Sequence, residues 1–280
     1  MVEHDIATVL LGGLLGLLIG SFLNVVIYRM PKILERQWAQ ECAELTGQEI
    51  KPEPTFNLMV PRSRCQKCGH LIHWYENIPV LSYLFLGGKC SSCKIGISLR
   101  YPMIELVTGG LFAWCAWQWG ASTTAVAWCV FTALLLALAM IDWDTTFLPD
   151  DMTLPLLWAG LLASSMQWTA VPLSASVWGA IAGYLSLWLV YWGFKLLTGR
   201  EGMGYGDFKL LAALGAWFGW QALIPIILMS SVIGAVIGIA LKFSNGLREG
   251  GYVPFGPFLA GAGFTAMLFG PQTILRVIGL

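Results

Sequence analysis

"IATVLLGGLLGLLIGSFLNVVIY", residues 6–28, runs for twenty-three residues without a charge. As a helix it would be about 34 Å long, enough to cross the roughly 30 Å hydrocarbon layer of a bilayer. It is continuously apolar and does not alternate, which argues against a barrel strand. The leader "MVEHD" is acidic where the n-region of a signal peptide is basic. The basic residues follow the run, and no small-x-small cleavage site precedes them. The stretch reads as a retained first helix with its N-terminus outside.

The rest of the chain repeats this pattern. Of 280 residues, 57% are hydrophobic and 11% charged, whereas a soluble domain carries about a quarter charged residues. Fourteen tryptophans and eight tyrosines suit two interfacial aromatic belts. Apolar stretches at about 6–28, 102–120, 123–141, 152–168, 175–197, 208–221, 223–241 and 254–271 predict the spans. The short sixth is able to pair with the seventh as a hairpin. The expected fold is an all-α polytopic membrane protein of about eight transmembrane helices, with a small cytoplasmic insert at 29–101.

The net charge of zero gives no global pull toward nucleic acid, but the charges are unevenly placed. Ten of the sixteen Lys and Arg residues lie between Arg29 and Arg100. Eight spans would put both termini outside. The insert, the turn at 142–151 and the loops at 195–209 and 242–252 then share one side, with fifteen of the sixteen cations; Arg276 is the exception. The positive-inside rule makes that side the cytoplasm. Residues 35–57 are polar with two prolines, which predicts loop at least in their later part.

Inside the insert, "CQKC" at 65–68 and "CSSC" at 90–93 form two Cys-x2-Cys knuckles. In a reducing cytoplasm they predict a tetrahedral Zn2+ site on Cys65, Cys68, Cys90 and Cys93, not disulfides. Four protein ligands leave no position for water, so the metal's expected role is structural: it nucleates a ribbon too short to build a core. His70 and His73 read as bystanders. Cys42 stands apart, and Cys115 and Cys129 fall within spans as small hydrophobes.

Acids near the membrane gather on the same side: Asp142, Asp144, Asp150 and Asp151 in "MIDWDTTFLPDDM", and Asp207 after Gly202, Gly204 and Gly206. Asp150 and Asp151 follow Pro149 and read as helix N-caps. Asp144 reads as a solvated loop residue. Asp142 ends the third span and Asp207 begins the sixth, so both sit in one layer, where ionisable groups are functional suspects. Two facing carboxylates share a proton and titrate as a unit, as in the aspartic proteases. The glycines would let helices, or an extended substrate, approach the carboxylate. Two other readings stay open on these residues alone: a helix cap beside a flexible turn, and paired acids of a transporter.

Gly204-Tyr205-Gly206-Asp207 also matches the GxGD signature of intramembrane aspartyl proteases. Four stretches widen the match: "GSFLNVVIYRMP" at 20–31, "ENIPVLSYLFLGGKCSSC" at 76–93 with "ISLRYPMIEL" at 97–106, "IDWDTTFLPD" at 141–150 and "GMGYGDFKLLAALGAW" at 202–217. In this order, over nearly the whole chain, they resemble the bacterial prepilin peptidases with an attached N-methyltransferase activity. The resemblance implies Asp142 as the partner of Asp207, because Asp142 stands eight residues before the Asp150 of a Pro-Asp pair. It implies a zinc-binding insert of the methylating branch, with Gln66 where many members have Pro.

The implied reaction is removal of the basic leader of type IV prepilins and type II secretion pseudopilins after a Gly, at the cytoplasmic face of the inner membrane. N-methylation of the new terminus by S-adenosylmethionine follows. The implied organisation is 1–28 first helix, 29–101 insert and candidate methyltransferase region, 102–280 peptidase core. Glu35, Glu41, Glu44 and Glu49 are candidates to attract the leader, or solvated loop acids. Glu76, Asn77 and Arg100 either shape a methyl-donor pocket or link the ribbon to the spans. A proton- or cation-coupled transporter would instead call for discontinuous helices and repeat symmetry, which the sequence lacks. A noncatalytic assembly subunit would leave the two aspartates without a task.

Overall fold

The computed structural model describes residues 5–47, 54–243 and 253–278. Glu49, Lys51, Arg248 and most of the 242–252 loop, invoked above, lie outside the described residues. The described chain is helical, with no strand and two isolated β-bridges. Its helices are α1 (Ile6–Thr46), α2 (Leu81–Phe85), α3 (Arg100–Trp119), α4 (Thr123–Thr145), α5 (Asp150–Ser165), α6 (Leu173–Thr198), α7 (Tyr205–Phe218), α8 (Leu223–Phe243), α9 (Gly256–Phe269) and α10 (Pro271–Ile278). Every apolar stretch singled out above falls on one of them. By length and composition, four described helices suffice to cross a membrane: Ile6–Thr46, Thr123–Thr145, Leu173–Thr198 and Trp220–Phe243. At 14 residues, α7 and α9 are each about 21 Å long, short of a bilayer's apolar thickness.

The chain divides into two compact units, Met1–Ala125 and Val126–Leu280. In the first, α1 and α3 pack along a line of small residues. A Cβ on Gly16 would lie 2.7 Å from the Thr108 carbonyl oxygen, and one on Gly20 2.7 Å from the Glu105 Cα. Only glycine permits that approach, the usual way for helices to gain contact in lipid. The first helix is much longer than the apolar run. Residues 32–46 ("KILERQWAQECAELT") are rich in Glu, Gln, Ala, Leu and Arg, strong helix formers that outweigh the interruption at Pro31. The helix stops at Gly47, whose left-handed conformation (φ 66°) returns its N–H to the Ala43 and Glu44 carbonyls. The predicted loop therefore does not include 35–46; of its later part, residues 54–57 are described and are not helical. Its described end is held by the buried Arg29, whose guanidinium donates to the carbonyls of Asn57 (2.9 Å), Leu58 (3.3 Å) and Pro61 (2.6 Å).

In the second unit α7 is the central helix. From Asp207 to Trp217 every residue but Lys209 is buried, as expected for a helix apolar on all sides. It meets α6 so closely at Gly215 and Gly179 that a Cβ on either would overlap the other's backbone. Its last turn is fixed by Trp217, which donates to the Leu156 carbonyl of α5 (2.9 Å) and packs against Phe131 and Trp128 of α4 at 4.9 and 5.1 Å. This anchoring sets where the N-terminus of α7, and with it Asp207, comes to rest.

Candidate functional site

Asp142 lies in the last turn of α4, and Thr146 closes that turn by donating its N–H to the Asp142 carbonyl at 2.8 Å. Residues two apart on a helix point to opposite sides. Accordingly Asp142 is buried, at 4% exposure, while Asp144 is exposed. Asp207 is the third residue of α7, at 8% exposure; Gly204 is the N-cap in extended conformation, and its carbonyl accepts the Asp207 N–H at 3.3 Å. Both predicted acids therefore belong to one buried locus. The charge of Asp142 is among those acting on the Asp207 carboxyl.

A third element completes the locus. The N–H of Gly256, first residue of α9, donates to Asp142 Oδ2 at 2.9 Å inside the protein. Asp207 thus sits in the first turn of α7, where free N–H groups and the helix dipole favour negative charge, whereas Asp142, in the last turn of α4, takes its N–H from the start of α9. Leu148 lies between the starts of α7 and α9. A Cβ on Gly206 would stand 2.7 Å from Leu148 Cβ, and one on Gly256 3.2 Å from Leu148 Cδ1 and 2.6 Å from Asp142 Oδ2. The glycines flanking Tyr205 thus have different tasks. Gly206 makes room for Leu148, whereas a Cβ on Gly204 would meet no closer side chain than Asp207 Oδ2 at 3.9 Å. The sequence reading missed Gly256, which it placed inside an apolar span; "VPFGP" at 253–257, across the start of that span, was the available signal.

Asp150 does not cap α5. Pro149 holds the N-cap position, Asp150 and Asp151 lie in the first turn, and neither side chain makes a capping hydrogen bond. Both still face the favourable end of the dipole. Asp150 instead takes Lys209 of α7, with Nζ 2.6 Å from both carboxylate oxygens, and so ties α5 to the helix that carries Asp207. A cavity of about 420 Å³ opens near Phe218, Val171 and Pro225. It lies about 16 Å along α7 from Asp207 and has no titratable side chain in its lining, so it is not the chemical site.

In the first unit the Sγ atoms of Cys65, Cys68, Cys90 and Cys93 all lie within 4.8 Å of one another. Cys65 and Cys93 are 3.8 Å apart, too far for a disulfide. That separation equals the edge, about 3.8 Å, of a tetrahedron with metal–sulfur bonds of about 2.3 Å. The two knuckles have the same backbone. Cys65 donates to the His70 carbonyl and Cys90 to the Ile95 carbonyl; Gly69 and Lys94, each following the second cysteine, are left-handed (φ 74° and 57°). The backbone N–H groups of Cys68 and Lys67 draw the Cys65 thiol down to about 6, while burial and the neighbouring thiols push Cys93 up to about 11, so the first thiolate of the set forms at Cys65. The donor set fits a zinc-type ion. His70 and His73 belong to a separate group with Glu76. Glu76 accepts the His73 N–H at 2.8 Å within a short 3-10 helix, Trp74–Asn77, and its pKa is lowered chiefly by the Ser91 hydroxyl and by that N–H. It links the two knuckles.

Residues 14–119 match the bacterial peptidase A24 N-terminal domain, and 129–239 the type IV leader peptidase family. The relative named prepilin leader peptidase/N-methyltransferase in Pseudomonas aeruginosa is 52% identical over 273 residues, covering 97% of this chain and 94% of its own length. The chain belongs to the type IV leader peptidase family. Relatives of the same name in Pseudomonas putida (52%, covering 94% of this chain and 91% of the relative) and Burkholderia pseudomallei (49%, covering 95% and 86%) extend the family match. No solved structure matches the chain.

Proposed function

We propose that this chain is a membrane aspartyl endopeptidase that removes the leader of type IV prepilins and of type II secretion pseudopilins and then N-methylates the exposed terminus. Membership of the family and the names of its relatives support both activities. The observation that carries the catalytic assignment is a pair of buried carboxylates, Asp207 in the first turn of α7 and Asp142 at the end of α4 under the Gly256 N–H, within range of each other's charge. Such a pair holds one proton between its members. The ionised carboxyl accepts a proton from a water as its oxygen attacks the scissile carbonyl. The protonated carboxyl gives its proton toward the amide, and the C–N bond then breaks with the proton on the departing amine. Gly256 N–H holds Asp142 in register for this exchange. Paired acids would also serve a proton-coupled transporter, but the family match does not favour that reading.

We assign peptidase chemistry to 102–280 and methyl transfer to the insert at 29–101. We place the protein in the bacterial inner membrane with eight crossings and the dyad at the cytoplasmic face, where fifteen of sixteen cations fall by the positive-inside rule. A basic leader would then remain in the cytosol while the apolar helix lies in the bilayer, which puts the scissile bond at the level of the dyad. Glu35, Glu41 and Glu44, exposed on the polar extension of α1, are suited to attract that leader. Zn2+ on the four thiolates would brace the ribbon and leave no open position for chemistry. The methyl group comes from S-adenosylmethionine; the described insert has two isolated bridges and no strand–glycine turn–helix, so a Rossmann-type site does not fit there.

The test is a cleavage assay on purified protein with a leader-bearing prepilin and labelled S-adenosylmethionine, read by mass spectrometry. Asp142→Asn and Asp207→Asn should each abolish leader removal while the protein stays folded in detergent. Undiminished cleavage by either variant would reject the dyad.

A further inference from the structure

Beside the four thiolates a second set of ligands converges. The ring nitrogens of His70 and His73 and a carboxylate oxygen of Glu76 all lie within 4.8 Å of one another. His70 Nε2 is sealed from solvent and has no hydrogen-bond partner, although Glu76 Oε2 is only 3.4 Å away. A buried nitrogen left without a partner is costly. A spacing of 3.4 Å is long for a hydrogen bond but equals the edge, about 3.4 Å, of a tetrahedron with metal–nitrogen and metal–oxygen bonds of about 2.1 Å. Each ligand is held from behind. The His70 carbonyl accepts the Cys65 N–H, the His73 ring stacks on Tyr75 at 5.3 Å and 3°, and the Glu76 carboxylate accepts the His73 N–H at 2.8 Å. His73 is exposed, which leaves the remaining corner open to water.

We infer that His70, His73 and Glu76 bind a second divalent cation of the zinc class, distinct from the one held by the cysteines, with solvent as its fourth ligand. Two imidazoles and one carboxylate form the donor set that such ions accept when one position is kept for water. The ion joins the first knuckle, through His70, to Glu76, which faces Ser91 in the second. It therefore braces the ribbon from outside the thiolate cluster and turns the His70–Glu76 contact into a bridged one.

Cobalt(II), which reports its ligands spectroscopically, tests this in the untagged, full-length protein stripped of metal and titrated in detergent. The expected result is two cobalt ions per chain, one with intense thiolate-to-metal absorption and one with only the weaker visible bands of nitrogen and oxygen ligation. His73→Ala and Glu76→Gln should each lose the second equivalent and keep the thiolate band intact. One cobalt per chain in the unaltered protein, or two in both His73→Ala and Glu76→Gln, would overturn the inference. Prepilin cleavage by the same samples is a separate readout, so failure here would not touch the dyad.

Discussion

Replacing Gly256 by alanine is the sharpest probe of the proposed centre, because it leaves both aspartates in place. The new Cβ would lie 2.6 Å from Asp142 Oδ2 and 3.1 Å from its Cγ, so either the carboxylate or the start of α9 must move. The 2.9 Å bond from Gly256 N–H cannot survive both displacements unchanged. A hydrogen bond to a charged group contributes about 1.5–3 kcal/mol, and about 1.4 kcal/mol is tenfold in rate. The cleavage rate should therefore fall about 10- to 150-fold, in line with what small misplacements of a catalytic group cost. The loss should appear in kcat, with KM nearly unchanged, since the substituted residue faces the carboxylate. A control separates positioning from folding: in an Asp142→Ala background the obstructing oxygen is gone, so the added Gly256→Ala should cost much less stability than it does alone. A Gly256→Ala enzyme that cleaves prepilin within twofold of the unaltered rate would refute the role given to this amide.

Three further outcomes are expected. Serine at all four of Cys65, Cys68, Cys90 and Cys93 should release the thiolate-bound zinc, measured as a loss of about one equivalent by elemental analysis, and retention of that zinc would refute the ligand set. Gly206→Ala should lower thermal stability by roughly 1–3 kcal/mol through overpacking against Leu148. Gly204→Ala, which meets only Asp207 Oδ2 at 3.9 Å, should leave stability nearly unchanged while slowing cleavage. Equal stability losses in the two variants would remove the distinction drawn between these glycines.

What could be read from the sequence depended on whether chemistry was carried by residue type or by placement. The cysteine knuckles were legible because thiolate spacing is a local property, and their Sγ atoms do converge. Asp142 and Asp207 stood out because a carboxylate beside an apolar run is costly, and the structure buries both in one locus. Gly256 was invisible for the opposite reason: its contribution is a backbone N–H, which every residue but proline has, and only the fold aims it at Asp142. Asp150 was read from its neighbour Pro149 as a cap, whereas its partner Lys209 lies 59 residues away. The extension of α1 to Thr46 was left open because polarity says little about a helix that leaves the bilayer, and the helix propensity of 32–46 decides it. His70 and His73 were set aside on the count of cysteines alone; that they face Glu76 depends on the 3-10 turn Trp74–Asn77, which carries Glu76.

Leu148 lies against Gly206 on one side and Gly256 on the other, so one methyl-bearing side chain sets the gap between two helix starts. A Cβ at 206 would meet the Cβ of residue 148 itself, and one at 256 would press on both Leu148 and Asp142, so a bulkier residue at either place has to be answered by a shift of the backbone. Drift in the bulk of this wedge would also change the reach between the two acids without altering either of them, a route by which relatives could be retuned for differently shaped substrates.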